Sequence, residues 1–340
     1  MSKEKNVGVE FIRLCATIGV IMNHVGVCWI SAYGDTANAN GLVLFKTING
    51  LAFWPVPCFM MITGFLLLSR QPIDYNKAFC YFKRIAILLA LFGTLFASME
   101  LFFKTKSLTL DLFVNSFVDM IQGKTWNHLW YLYMLLGIYL ILPIFSWKNT
   151  PPHSKQLLIL LLIIFFFTSI LPCVKQDIGI VFPLSSVYVG YLLLGYFLSI
   201  EEVKDWCSCY LKDEYCVFII LFLFALVVIE YVFDIQFRFS GYTSPFTVML
   251  QVTLMFVMAM RQRKMIDKIC CNPLVKNFNR CSLGIYIIHM VWINLIIKVL
   301  HVNIMGLNIL MILMASLAIV ILSWMSVNVL IRVPILKKYL

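Results

Sequence analysis

The sequence predicts an all-α, polytopic membrane helix bundle of about ten transmembrane helices. Three observations predict it. The 340 residues are 62% hydrophobic and only 13% charged, where soluble domains carry about 25% charge. Mean hydropathy is +0.92. Apolar runs near the ~20 residues that cross a bilayer recur along the whole chain.

The opening Met1-Ser2-Lys3-Glu4-Lys5-Asn6 is short and basic, and the run behind it lacks a small-residue cleavage site. Residues 9–31 therefore read as a retained first helix rather than a signal peptide. Further spans are expected near 42–68, 84–103, 128–146, 156–173, 183–199, 215–234, 243–260, 282–299 and 306–331. Pro55 and Pro57 interrupt the second, and Gly241, Pro245 and Gln251 dilute the eighth, so a break is expected in either. No connection exceeds about 25 residues, too short for an independent soluble domain. Residues 1–340 read as one membrane domain with none appended.

The net charge of +11 says more about sidedness than about nucleic acid, which is not expected as a partner. Of the 27 Lys and Arg, 19 fall in the N-terminal segment, the even-numbered loops and the C-terminal segment, among them Lys3, Lys5, Arg70, Lys148, Arg263 and Lys264. Seven, including Lys175 and Arg238, fall opposite, and the remaining one, Arg13, falls within the first span. The positive-inside rule then makes both termini cytoplasmic. Of the eleven cysteines, Cys15, Cys28, Cys58 and Cys173 fall in or beside spans, while Cys207, Cys209, Cys270, Cys271 and Cys281 fall in loops on the reducing side. Their spacings lack the histidine partners of a zinc site, and no metal is expected.

Arg13 and His24 stand out in the first span, with ten residues between them. Eleven helical steps bring His24 back to within roughly 20° of Arg13 and about 16 Å further along the axis. Ionisable groups in a bilayer usually face a protein interior or wet cavity. A snorkelling Arg13 and an interhelical hydrogen bond from His24 would also account for each residue alone. His289, about two turns into the ninth span, is a second intramembrane histidine. Lys83 and Arg84 open the third span, where they serve either as topogenic charges or as a dock for a cytosolic polyanion such as a nucleotide-bearing cofactor. The fourth span opens Trp126-Asn127-His128-Leu129-Trp130-Tyr131, with Tyr139 and Pro143 following. An aromatic belt explains such a run, and so does a sugar-stacking rim that pairs His128 with Trp130. Trp29 and Tyr33, at the outer end of the first span, are expected to join that rim.

These motifs, in this order, resemble the acyltransferase-3 family of bacterial integral-membrane acyltransferases. The family's arginine, ten residues, histidine pattern matches Arg13 and His24. Its Ser-Gly-Phe/Tyr motif matches Thr63-Gly64-Phe65 with threonine for serine, and its basic third-span motif matches Lys83-Arg84. Its fourth-span pattern matches His128-Leu129-Trp130-Tyr131 through Tyr139 and Pro143, and its ninth-span signature Ser282-Leu283-Gly284-Ile285-Tyr286…His289. Length and motif wording are closest to the branch containing the enterobacterial common antigen O-acetyltransferase, where an acidic residue stands at the position of Glu10.

The resemblance implies acyl transfer, usually of acetyl from cytosolic acetyl-CoA, to a hydroxyl of a surface or lipid-linked glycan, by a multi-pass protein of the bacterial inner membrane. On that basis Arg13 and His24 are the expected catalytic residues. Arg13, Lys83 and Arg84 are expected at the CoA phosphates, with Glu10, His128, Trp130, Tyr139, Tyr286 and His289 toward substrate. A covalent acyl-histidine relay is the alternative to His24 as general base. A rival class, a secondary transporter or flippase for a glycan precursor, would also use intramembrane Arg and His, but the two halves lack the symmetry of broken helices many transporters have.

Overall fold

A computed structural model describes residues 6–69, 73–146, 154–170, 186–234, 245–261 and 263–340. Lys3, Lys5, Arg70, Lys148, Cys173, Lys175, Arg238 and Gly241 lie outside the described residues, as do the side chains of Pro245, Arg263 and Lys264. The chain is an all-α polytopic bundle, 85% helical and without strands among the described residues. Among the described residues, seven helices are long and apolar enough to cross a membrane. Shorter apolar helices at Ser154–Ile170, Val187–Phe197 and Phe246–Arg261 occupy the fifth, sixth and eighth expected spans.

In chain order the helices are α1 (Val7–Tyr33), α2 (Ala39–Leu51), α3 (Pro55–Leu67), α4 (Tyr75–Leu88), α5 (Thr94–Thr105), α6 (Leu110–Ile121), α7 (Trp130–Ile141), α8 (Ser154–Phe165) and α9 (Val187–Phe197). There follow α10 (Glu201–Tyr210), α11 (Asp213–Val232), α12 (Pro245–Arg261), α13 (Arg263–Cys270), α14 (Pro273–Arg280), α15 (Ser282–Asn294), α16 (Ile309–Leu330) and α17 (Pro334–Tyr339). A π-helical turn at Leu89–Gly93 joins α4 to α5. Two compact units result: Met1–Arg70 with Pro152–Met325, and Gln71–Pro151 with Ser326–Leu340.

In the first unit α1 begins where the Asn6 side chain accepts from the Val9 N–H, which satisfies one orphan donor of the first turn. It then packs on α2, α3, α12, α13, α14 and α15. The expected break in the second span falls between α2 and α3, at Ala52–Trp54, because Pro55 at the start of α3 cannot continue a helix. That break lays Trp54 and Pro55 against Gly19 of α1, where a β-carbon would come within 3.1 Å of the indole and 2.8 Å of the proline ring. Gly19 lies about 240° around α1 from Arg13, so the close-packed face and the Arg13–His24 stripe point different ways.

The second unit holds an element in a stretch that reads from the sequence as a connection. Helix α6 doubles back along α5 as far as the π turn, and its Met120 side chain meets Gly93. Three stripes explain it. Leu112, Ser116 and Met120 are buried, Leu110, Phe113, Val114, Phe117, Val118 and Ile121 are exposed, and Asp111, Asn115 and Asp119 form the polar edge. Twelve residues make about 18 Å of helix, too short to span, and the polar edge breaks the apolar run that would have revealed it. The return places the chain after α6 beside Phe96, nine residues before the end of α5, or about 14 Å back along it.

Candidate active site

Helix α1 carries the first part of the site. The Arg13 guanidinium donates from Nη1 to Glu10 Oε1 at 2.9 Å, one helical turn back, and both side chains are about a fifth exposed. The two form an i, i+3 ion pair on one face of α1. Asn279 of α14, itself buried, donates from Nδ2 to the Glu10 carbonyl at 2.8 Å and ties this turn of α1 to the next helix layer. The i, i+3 geometry aligns Arg13 against Glu10 while leaving the other guanidinium N–H groups as donors.

His24 lies on the same stripe three turns on. Its Nδ1 is 2.7 Å from Nε2 of His289 on α15. The ring centroids are 4.8 Å apart and the planes differ by 22°. That separation is close to the N···N distance plus two ring radii, so the imidazoles meet edge to edge, nearly coplanar, as a hydrogen bond requires. His289 is 0% exposed, whereas His24 is half-buried. The Tyr286 ring, one turn earlier on α15 and also buried, stands 5.9 Å from the His289 ring. Beside them Asn23 donates from Nδ2 to Asn49 Oδ1 at 2.6 Å and to the Asn49 carbonyl at 3.2 Å, fastening α1 to the end of α2.

Two expected residues were thus legible singly, and their contact was not. No spacing in the sequence relates positions 265 residues apart. Asn23, Asn49 and Asn279 escaped the sequence reading altogether. The available signal was an amide inside or beside an apolar run, next to His24 in one case.

The remaining candidates belong to the second unit. Lys83 and Arg84 are exposed near the middle of α4 rather than at its start. Arg84 donates from Nε to the Tyr339 carbonyl at 2.7 Å and from Nη2 to the Leu340 carbonyl at 3.1 Å, so it holds α17. Tyr139 packs on Tyr81, with ring centroids 5.7 Å apart. His128 is 2% exposed and lies against Phe96 and Trp126, whose own rings stack at 4.4 Å. Trp130 is 41% exposed and meets Tyr131 edge-on. His128 and Trp130, adjacent on the rim in the sequence reading, thus occupy different surroundings. Back in the first unit, Trp29 is a core residue, 1% exposed, and donates to the Val302 carbonyl, while the Tyr33 hydroxyl donates to the Ile297 carbonyl.

The bundle thus sets an imidazole of α1, on a stripe that begins with an arginine, against a buried imidazole of α15, a pair of groups able to pass a proton within an apolar layer. The acyltransferase-domain family, acyltransferase-3, matches residues 6–328, and the chain belongs to it. It is a membrane acyltransferase. No curated protein and no solved structure matches the chain.

Proposed function

We propose that this acyltransferase moves an acetyl group from cytosolic acetyl-CoA to a hydroxyl of a cell-surface or lipid-linked glycan, in the bacterial inner membrane and with both termini cytoplasmic. The observation that carries this reading is the Arg13–His24 stripe, with His24 half-buried and set against His289. The pantetheine arm is thin and about 15–20 Å long, comparable with the ~16 Å between these two residues. CoA phosphates bound near Arg13 would leave the thioester near His24. The donor set fits that task, since Arg13 keeps guanidinium N–H groups beyond the one on Glu10 and arginine suits bidentate phosphate contacts. Lys83 and Arg84, in the other unit, are further basic candidates, each to be judged by its own variant.

His24 acts as general base. It takes the acceptor hydroxyl proton as the oxygen bonds to the acyl carbon, the C–S bond breaks, and the imidazolium returns a proton to the departing thiolate. Acyl, proton and sulfur are all accounted for without a metal. The charge count supports the cytoplasmic termini, and the motif wording supports the enterobacterial common antigen O-acetyltransferase branch.

The test uses the full chain in lipid nanodiscs with acetyl-labelled CoA and envelope glycans from a deletion strain. Label should enter the glycan with wild-type protein and not with His24→Ala. Protein-dependent solute movement with no label transfer would overturn the proposal in favour of a transporter.

A further inference from the structure

We propose that His289 is a positioning residue that sets the tautomer of His24, so that Nε2 of His24 is the basic nitrogen. This rests on the acyl-transfer reading for its consequence but not for its geometry. Ile285 lies one turn before His289 on α15. His289 Nδ1 is 3.3 Å from the Ile285 carbonyl oxygen. A carbonyl can only accept, so Nδ1 of His289 carries a hydrogen and donates it. In a neutral imidazole the other nitrogen then carries the lone pair. That nitrogen, Nε2, is the one 2.7 Å from His24 Nδ1. For this contact to be a hydrogen bond, His24 Nδ1 must be the donor. The proton of neutral His24 is thereby assigned to Nδ1, and its Nε2 is left with the lone pair.

Each link has one direction, from His24 through His289 to a backbone oxygen fixed in a helix. When His24 Nε2 takes a proton, the imidazolium that forms still donates from Nδ1 to His289 Nε2, so its charge is stabilised by a lone pair already aimed at it. A buried carboxylate does the same for the histidine of a serine-protease triad. Here the orienting group is neutral, which suits an apolar layer where a carboxylate would be costly. Burial of His289, with Tyr286 packed beside it, restrains the ring that makes the assignment.

The experiment is ¹⁵N-histidine NMR of the full chain in detergent micelles. Five histidines make assignment by single substitution practical, and two-bond ¹⁵N–¹H couplings distinguish a protonated from an unprotonated ring nitrogen. Neutral wild-type His24 should show its proton on Nδ1. His289→Leu removes the acceptor and should shift His24 toward the Nε2–H tautomer. In the acetyl-transfer assay it should lower kcat by about 10²-fold, on the scale of general-base catalysis, with the KM for acetyl-CoA unchanged. His289→Gln presents an amide oxygen to His24 Nδ1 and should restore the Nδ1–H tautomer and much of kcat. A wild-type His24 protonated on Nε2 overturns the proposal. So does a His289→Leu protein with both tautomer and kcat unchanged, or a His289→Gln protein no better than the leucine variant. If His289→Leu fails to insert, the wild-type and glutamine spectra still decide. Absence of acetyl transfer by wild-type protein would sink the acyl-transfer reading while leaving the tautomer result standing.

Discussion

Gly64 and Leu192 meet backbone to backbone, so that a β-carbon on Gly64 would be driven into the Leu192 carbonyl. Gly195, one turn further along α9, makes the reciprocal contact with the Met61 carbonyl on α3. Small residues that let helices approach are a main source of packing in membranes, where apolar burial between helices gains little over lipid. Gly64→Ala and Gly195→Ala should each lower the Tm of the purified protein, since backbone on both sides cannot yield as a side chain would. The expected cost is at the upper end of the roughly 1–3 kcal/mol typical of overpacking. An unchanged Tm in both variants would contradict the contact.

This pair also explains why part of the sequence pattern was readable without its meaning. Thr63-Gly64-Phe65 carries a family resemblance, yet Thr63 hydrogen-bonds back to the Phe59 carbonyl at 2.8 Å and Phe65 packs on Phe256. Gly64 and Phe65 seat α3 against its neighbours while Thr63 bonds within the helix, and nothing in the spacing distinguishes seating from chemistry. Apolar runs and their prolines announced the spans and the break before Pro55, because hydropathy and proline act locally. Helix α6 stayed hidden because its twelve residues divide into three narrow stripes. The His24–His289 contact stayed hidden because it joins helices far apart in the chain.

Arg13 and Arg84 are expected to separate under mutation. Among the described residues the Arg13 guanidinium is committed to Glu10 by one nitrogen, whereas Arg84 spends Nε and Nη2 on backbone carbonyls of residues 339 and 340. Arg13→Gln should raise the KM for acetyl-CoA about ten-fold or more, in line with loss of a charge-assisted contact. Arg84→Gln should first release α17, seen as faster hydrogen–deuterium exchange over residues 334–340. If Arg84→Gln leaves that exchange unchanged, Arg84 does not hold the helix. If Arg13→Gln leaves acetyl-CoA affinity unchanged, the phosphate assignment fails.

Thiol labelling tests the sidedness derived from charge. Cys80, Cys209 and Cys271 are exposed free thiols in segments that the positive-inside count places in the cytoplasm. An impermeant maleimide should label them in inverted vesicles and spare them in intact cells. Cys207 and Cys270 lie on the same side but are buried. Burial pushes both thiols up, partly offset by Arg261 at Cys207 and reinforced by Glu10 at Cys270. The thiolate is the nucleophile, so a raised thiol holds less of it near pH 7 and its alkylation should speed up as pH rises. Labelling of the exposed three from outside intact cells would invert the topology.

The aromatic residues at the start of α7 give the sharpest test of where acceptor binding resides. From sequence, His128 and Trp130 read either as part of an aromatic belt or as one sugar-stacking rim. In the fold, Trp130 is exposed and touches Tyr131, while His128 and Trp126 sit in a cluster with Phe96. The Trp126 indole N–H is buried with no hydrogen-bond partner among the described residues. A buried N–H left so costs about 1–3 kcal/mol, which an incoming hydroxyl oxygen would offset. Trp130→Leu should therefore insert normally and keep the wild-type KM for both acetyl-CoA and glycan, as expected of a lipid-facing belt residue. Trp126→Phe keeps the ring stack on Phe96 but removes the N–H, and should raise the glycan KM several-fold while the acetyl-CoA KM stays put. His128→Ala opens a cavity in the same cluster and should lower Tm by the ~2 kcal/mol or more typical of large-to-small core changes. Kinetics on the three purified variants decide the matter. A raised glycan KM in Trp130→Leu with Trp126→Phe unchanged would return acceptor binding to the exposed rim.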